Sequence, residues 1–178
     1  MDNESGYGPT AKILHWLTAT LLAVQYLIGW LMPDIKRDMT PGTMMDLHIS
    51  FGLVILFLVV MRFLWRLSHR VPPEETLPAW QRVSSEGLHL LLYALVVVTT
   101  LTGWTFASMR GWTISVFGIL PLPRLVAEGS ALGSTIGELH ATLVWVLLAA
   151  IGLHLTAAFV HLFVYRDRIM QRMLPRAG

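Results

Sequence analysis

Four apolar stretches, each long enough to cross a lipid bilayer, dominate this sequence. They cover approximately residues 11–32, 45–67, 83–109 and 138–165, and the segments between them are more polar and contain proline. About 20 apolar residues in a helix span the hydrocarbon core, and only helices and closed barrels satisfy their backbone polar groups there. The sequence therefore predicts an all-α integral membrane four-helix bundle, with residues 1–178 forming a single domain.

The composition agrees with a membrane protein and excludes several kinds of site. The residues are 54% hydrophobic and only 13% charged, whereas soluble domains carry about 25% charged residues. Because the chain has no cysteine, disulfides, thiolate metal sites, iron–sulfur clusters and covalent haem attachment are excluded. The N-terminal residues have no signal-peptide pattern, so we expect the first span to direct insertion. The lipid bilayer is the expected surrounding, and no nucleic-acid partner is expected.

The basic residues predict which side of the membrane each segment occupies. Four spans place both termini on one side, and cytoplasmic termini would put nine Lys and Arg inside and four outside, as the positive-inside rule requires. The inner set is Lys12, Arg62, Arg66, Arg70, Arg82, Arg166, Arg168, Arg172 and Arg176, and the outer set is Lys36, Arg37, Arg110 and Arg124. The longer outer loop, residues 110–136, contains Trp and Phe and is predicted to lie on the membrane surface.

Histidines within the apolar spans predict a cofactor, because an ionisable ring in hydrocarbon is costly unless something satisfies it. His140 and His154 are fourteen residues apart, which on a helix is about 21 Å of rise on nearly the same face. His15 lies in the inner half of the first span and His48 in the outer half of the second. The depths predict the pairs His15–His154 and His48–His140. Each pair suits a bis-histidine haem iron, so two non-covalent haem b groups are predicted.

The third histidine of the last span leaves an alternative open. His161 lies seven residues after His154 on the same face, and depth alone also permits His15 to pair with His161. The ligands His140 and His161 would then stand about 32 Å apart, too far for fast electron transfer between the haems. We therefore prefer His154. A separate alternative is a non-redox protein whose histidines pack, bind another metal or form a proton path.

Several glycines and arginines lie at helical spacings from these histidines. They are Gly29, Gly52, Gly137, Arg62 and Arg66. A glycine leaves room for a flat macrocycle, and an arginine at that depth can pair with a haem propionate. Alternatively, the glycines serve close helix packing and the arginines extend to the membrane interface.

In order and spacing these motifs resemble the small di-haem cytochrome b561 family of the bacterial inner membrane, which is related to the cytochrome b subunits of hydrogenases. The matching stretches are Leu14-His15-Trp16, Leu47-His48-Ile49-Ser50-Phe51-Gly52, Met61-Arg62-Phe63-Leu64-Trp65-Arg66-Leu67, His89-Leu90-Leu91-Leu92-Tyr93, Arg110-Gly111, Phe117-Gly118, Leu139-His140-Ala141-Thr142-Leu143, Gly152-Leu153-His154, His161 and Met173-Leu174-Pro175-Arg176. The resemblance covers nearly the whole chain. It implies haem b bound through His15, His48, His140 and His154.

The resemblance also implies a function. Members of this family exchange electrons with quinone, and some are superoxide oxidases that pass an electron from superoxide at the outer face to ubiquinone. A superoxide:quinone oxidoreductase of the bacterial inner membrane is therefore expected. The alternative is an anchor and electron-transfer subunit for a separate dehydrogenase or hydrogenase. Residues 33–46 and most of 119–136 have no clear match, which leaves the outer donor open.

Substrate sites beside the haems would complete such a mechanism. With both axial positions filled, the iron carries electrons without binding substrate. Quinone reduction also consumes protons, and His161, His89 and Lys12 are the ionisable candidates near the inner end. Arg110 and Arg124 are candidates for steering a small anion at the outer face, helped by Lys36 and Arg37, although ordinary interfacial anchoring explains each residue taken singly better than steering does. No catalytic residue is identified.

Overall fold

The computed structural model describes residues 7–36, 39–69 and 77–174, and four long helices make up most of them. Helix α1 covers Pro9–Leu31, α2 covers Thr43–Ser68, α3 covers Ala79–Met109 and α4 covers Gly133–Val160. Each has the length and composition to cross a membrane, so the predicted four-helix membrane bundle is confirmed. The predicted limits agree to within a few residues, except that α4 begins at Gly133 where residue 138 was predicted.

Short elements follow α3 and α4. Strands β1 (Ser115–Val116) and β2 (Leu120–Pro121) pair antiparallel between these two helices. Helix α4 continues as a π-helical turn, His161–Tyr165, and a 3₁₀ turn, Met170–Arg172, lies in the tail. The tail is therefore folded and does not simply extend from the last helix.

Proline and glycine set the helix boundaries. Pro9 occupies the first helical position of α1, where its missing N–H is not needed, and Pro78 is the residue immediately before α3. Helix α3 ends at Met109, and Gly111, two residues later, has a φ of +72°, in the left-handed region that glycine adopts without strain. The next backbone N–H, that of Trp112, donates to the Ala107 carbonyl at 3.1 Å, which closes the helix end.

The bundle packs through small apolar clusters and exposes most of its apolar surface. Helix α3 packs mainly on α4, α1 on α2, and α2 also on α3. The central cluster consists of Ile55, Val59, Leu95, Val96, Leu147 and Ala150. Large side chains such as Trp145 and Leu153 are 63% and 59% exposed. Lipid tails are as apolar as these side chains, so this exposure carries no penalty in a membrane.

The segment between α3 and α4 forms a folded cap on the bundle, and its predicted position at the membrane surface stays a prediction. Trp112 and Ile114 are only 6% and 2% exposed, in a cluster with residues of α2 and α3. The Ser50 hydroxyl of α2 accepts from the Phe117 N–H at 2.9 Å and lies 3.3 Å from the Ser115 carbonyl. The turn between the strands uses positive φ angles at Phe117 and Gly118. We call this end of the bundle the loop end.

The start of α1 and the last described residues of the tail meet at the opposite end of the bundle, which we call the terminal end. The Lys12 ammonium donates to the Leu174 carbonyl at 2.9 Å, and the Trp16 indole N–H donates to the Met173 carbonyl at 2.9 Å. This agrees with an even number of spans. The cytoplasmic location of this end stays a prediction, and Arg37, Arg70 and Arg176, on which it partly rests, lie outside the described residues.

Candidate functional site

The four histidines predicted as ligands lie in two facing pairs, one toward each end of the bundle. The ring centres of His48 and His140 are 6.3 Å apart, and those of His15 and His154 are also 6.3 Å apart. An imidazole nitrogen binds a metal at about 2 Å and its ring centre lies about 1 Å further, so one metal between two rings needs about 6 Å. Both pairs therefore have the spacing that a bis-histidine iron requires. Ligation itself stays a prediction.

A cavity of about 660 Å³ opens around the loop-end pair. All four helices and the cap contribute to its walls, which are mostly apolar. Gly29 lines it beside the His48 ring, where a Cβ would lie 3.7 Å from Cε1. Cofactor pockets are typically about 300–1,000 Å³ and largely apolar, so this cavity suits a macrocycle. Gly52 and Gly137 also line it, but Gly137 lies against Phe106, where a Cβ would come within 2.8 Å.

Hydrogen bonding indicates which nitrogen of His140 is available. Its Nδ1 lies 2.9 Å from the Thr99 carbonyl, and a carbonyl can only accept. The proton is therefore on Nδ1, and Nε2 is left with the lone pair that a metal needs, as in other histidine ligands held by a carbonyl. Within the described residues, Nδ1 of His15 and Nδ1 of His48 are buried without a partner. Unpaired buried nitrogens are costly, so these rings fit positions that a bound group completes.

Two residues of α3 that hold His140 were missed in the sequence. A Cβ at Gly103 would lie 2.8 Å from His140 Cε1 and 3.1 Å from Nδ1, so the ring rests directly on the α3 backbone. Thr99, one turn earlier on the same face, supplies the carbonyl that accepts the ring N–H. The four-residue spacing of Thr99 and Gly103 was visible, but the sequence does not indicate that α3 meets α4 at this depth.

The terminal-end pair has a third histidine and an arginine beside it. His89, predicted as a quinone-site residue, has its ring centre 5.2 Å from that of His154, and its Nδ1 lies 2.6 Å from the Ser85 carbonyl. The Arg62 guanidinium lies 5.5 Å from the Tyr93 ring centre, is half-buried, and is within electrostatic range of the rings of His15 and His154. This places Arg62 inside the bundle near the histidine pair.

The other predicted residues of the terminal end have different surroundings. Arg66 is exposed in the last turn of α2. Lys12 holds the tail through Leu174, as described above. His161 Nδ1 lies 2.5 Å from Oδ2 of Asp167, and the two side chains are 17% and 24% exposed. Asp167 was missed, because nothing in the sequence indicates that the chain turns back after α4.

The two arginines predicted to steer anions differ in their contacts. Arg124 lies 3.1 Å from Glu128 and donates to the Gly111 carbonyl at 2.8 Å, so its charge is compensated. Arg110 lines the cavity, lies 5.3 Å from the Trp112 ring centre and donates to the Lys36 carbonyl. Of these two, Arg110 is the one that the structure places at the loop-end cavity.

Comparisons with known proteins agree over almost the entire chain. A family model described as prokaryotic cytochrome b561 matches residues 6–176. Cytochrome b561 homolog 2 of Escherichia coli K12 is 29% identical over 176 residues, covering 97% of this chain and 93% of the relative. A probable superoxide oxidase CybB of Yersinia pestis is 28% identical over 164 residues, covering 92% of each. Cytochrome b562 of Cereibacter sphaeroides is 28% identical over 183 residues, covering 99% of this chain and 100% of the relative.

The family match confirms the resemblance that the histidine motifs predicted. The four helices can span a membrane, and the bacterial relatives match over nearly their full lengths. Both findings indicate a multi-pass bacterial membrane protein. Membership of a cytochrome b family implies haem b and electron transfer. The chain therefore belongs to the prokaryotic cytochrome b561 family of multi-pass bacterial membrane proteins, which transfer electrons through haem b.

Proposed function

We propose that the chain holds two haem b groups, one between His15 and His154 and one between His48 and His140. When bound, haem supplies reversible one-electron chemistry. The observation that carries the proposal is the equal 6.3 Å separation of the two ring pairs, each with one ring on α4. Fourteen residues of helix, about 21 Å, separate the two histidine pairs, so two haems bound there would lie one above the other across the bundle.

Backbone and side-chain groups around the two pairs suit the proposed haem sites. The Thr99 carbonyl and the backbone at Gly103 orient His140, and Arg62 supplies a positive charge near the terminal-end pair for a propionate. If both rings of each pair held an iron, no ligand position would be left for a substrate, so substrates would react beside the haems, at side chains of the chain itself. The donor and acceptor sites are therefore expected at the two ends of the bundle.

For the donor, we propose a small anion, with superoxide preferred, reacting at the loop end. The similarity to a probable superoxide oxidase at 28% identity supports this choice. Arg110 in the cavity wall supplies a positive charge that attracts an anion. Each superoxide gives up one electron and leaves as dioxygen.

For the acceptor, we propose ubiquinone at the terminal end. Two electrons and two protons convert a quinone to a quinol, so the site needs a group that donates protons. His161, half-buried and bonded to Asp167, is the candidate that the structure favours over His89, which lies against His154.

The test begins with the cofactor and continues with the substrates. The purified protein is expected to show b-type α bands with dithionite and two haems per chain, and His15→Ala and His48→Ala are each expected to lose one haem. Superoxide should then reduce the haems, and a short-chain ubiquinone should reoxidise them. A colourless protein or a single haem would contradict the proposal. Reduction only by an added dehydrogenase would favour the alternative of an electron-transfer subunit.

A further inference from the structure

We infer that Asp167 is a positioning residue of the terminal-end site: by accepting a hydrogen bond from Nδ1–H it holds the His161 ring so that Nε2 passes protons to a carbonyl oxygen of the quinone. This inference rests on the proposed reduction of quinone. It adds Asp167, which was not among the predicted site residues. Asp167 orients the ring, and His161 transfers the protons.

The backbone after α4 brings Asp167 back onto His161. His161 is the first residue of the π-helical turn, which ends at Arg166, a non-glycine residue with a φ of 54°. This left-handed residue turns the chain so that the Asp167 N–H donates to the His161 carbonyl at 3.3 Å. A left-handed conformation is uncommon outside glycine and needs support from its surroundings. Here it places a carboxylate 2.5 Å from the histidine ring.

The contact determines which nitrogen of the ring carries the hydrogen-bonded proton. An ionised carboxylate can only accept, so His161 Nδ1 carries a proton, and Nε2 is the nitrogen left to exchange protons with a bound quinone. Transfer of the Nε2 proton to a quinone oxygen leaves a neutral ring whose Nδ1–H is still bonded to Asp167. Two electrons would come from the donor by way of the bound cofactor, and for each of them Nε2 takes up a proton from water at this end and passes it to the quinone. Quinone is thereby reduced to quinol, and Asp167 keeps its charge.

The other oxygen of Asp167 and the tail hold the pair in place. Oδ1 accepts from the Ile169 N–H at 3.1 Å, while Trp16, adjacent to His15, donates to the Met173 carbonyl. The pair therefore lies on a tail that is attached to the turn of α1 carrying a proposed haem ligand. Among the charged groups nearby, Arg166 and Arg168 are exposed, and Lys12 donates to the Leu174 carbonyl.

Asparagine has nearly the same shape as aspartate but no charge, so a substitution at position 167 tests the effect of the charge alone. Asp167→Asn keeps an oxygen for the Ile169 N–H but removes the negative charge, whereas Asp167→Glu restores the charge on a longer side chain. The matched control is Asp34→Asn, which removes an exposed carboxylate outside the terminal end. We would label the full-length, haem-loaded chain with ¹⁵N-histidine in lipid bilayers and assign the His161 signals by their loss in His161→Gln.

The expected result combines a spectroscopic and a kinetic change. In the parent protein the ¹⁵N signals should show a proton on Nδ1 of His161, and in Asp167→Asn Nδ1 should lose this proton, because an amide N–H can donate to it in place of the carboxylate. Quinone-dependent reoxidation at saturating quinone should fall about 10- to 100-fold, part of the about 10²–10⁴-fold that a general acid contributes. The haem spectrum should not change, Asp167→Glu should recover most of the rate, and Asp34→Asn should match the parent.

Three results would overturn the inference: unchanged His161 signals in Asp167→Asn, an unchanged rate, or loss of haem from that variant. Failure of the parent protein to reduce quinone would instead overturn the proposed function. The ¹⁵N signals report on the pair without any turnover, so the two failures are distinguishable.

Discussion

Replacing Gly103 by alanine tests the loop-end site, because the added methyl group would collide with the ring of His140. In Gly103→Ala the new Cβ would lie 2.8 Å from His140 Cε1, whereas carbon atoms in contact are normally about 3.5–4.0 Å apart. The ring cannot retreat freely, because its Nδ1–H is bonded to the Thr99 carbonyl at 2.9 Å. The ring must therefore move by about 1 Å, or α3 and α4 must separate.

The expected effect is a selective loss of haem affinity. Overpacking costs about 1–3 kcal/mol, and a weakened hydrogen bond adds about 0.5–1.5 kcal/mol. Since 1.4 kcal/mol is a factor of ten, the loop-end haem should bind about 10- to 1,000-fold more weakly. Alanine favours a helix over glycine by about 1 kcal/mol, so α3 itself should not be weakened.

The measurement is the ratio of haem to protein, with the reduced spectrum of each variant. Gly103→Ala should purify with close to one haem per chain, and the spectrum of the remaining haem should match that of a His48→Ala variant. Gly87→Ala is the matched control, because it lies in the same helix and its Cβ would meet nothing within 4 Å. If Gly103→Ala keeps both haems and the parent spectrum, the geometry assigned to His140 is wrong.

Two further predictions concern arginines. Arg62→Gln removes a positive charge beside the terminal-end pair and should lower the midpoint potential of the haem there by on the order of 40 mV, the equivalent of about 1 kcal/mol. Potentiometric titration measures the potential. The control is Arg66→Gln, which should shift the potential less because Arg66 is exposed. An equal shift in the two variants would contradict the placement of Arg62. Arg110→Gln should slow haem reduction by superoxide about 2- to 10-fold and flatten its dependence on ionic strength, whereas Arg124→Gln, whose charge is already compensated, should change little. Stopped-flow kinetics at several salt concentrations decide this, and equal effects at the two positions would exclude steering by Arg110.

The sequence was sufficient for the four helices and for the pairing of histidines by depth. Bilayer thickness fixes the length of a span, and the helical repeat fixes which residues share a face, so His140 and His154 could be placed without coordinates. The start of α4 was predicted too late because Ser134 and Thr135 are polar. A helix can begin before its apolar run does, and hydropathy does not detect that extension.

The contacts that orient the rings were not predictable. Gly103 and Thr99 matter because of how α3 is rotated against α4, and no periodicity encodes that rotation. Asp167 reaches His161 only because the chain reverses at Arg166, which has a positive φ. An arginine in a sequence does not indicate a left-handed backbone conformation. The burial of Trp112 in the cap was not predictable either, because aromatic residues in such a loop are equally typical of a membrane interface.

The placement of one ring of each pair on α4 has a consequence for biogenesis. Ribosomes release this helix last, so a nascent chain that ends before Gly133 contains His15 and His48 without their partners. On the proposed function, neither haem can be captured until the fourth span has entered the membrane. Binding of the cofactor would then be a late step of folding that links α1 and α2 to α4.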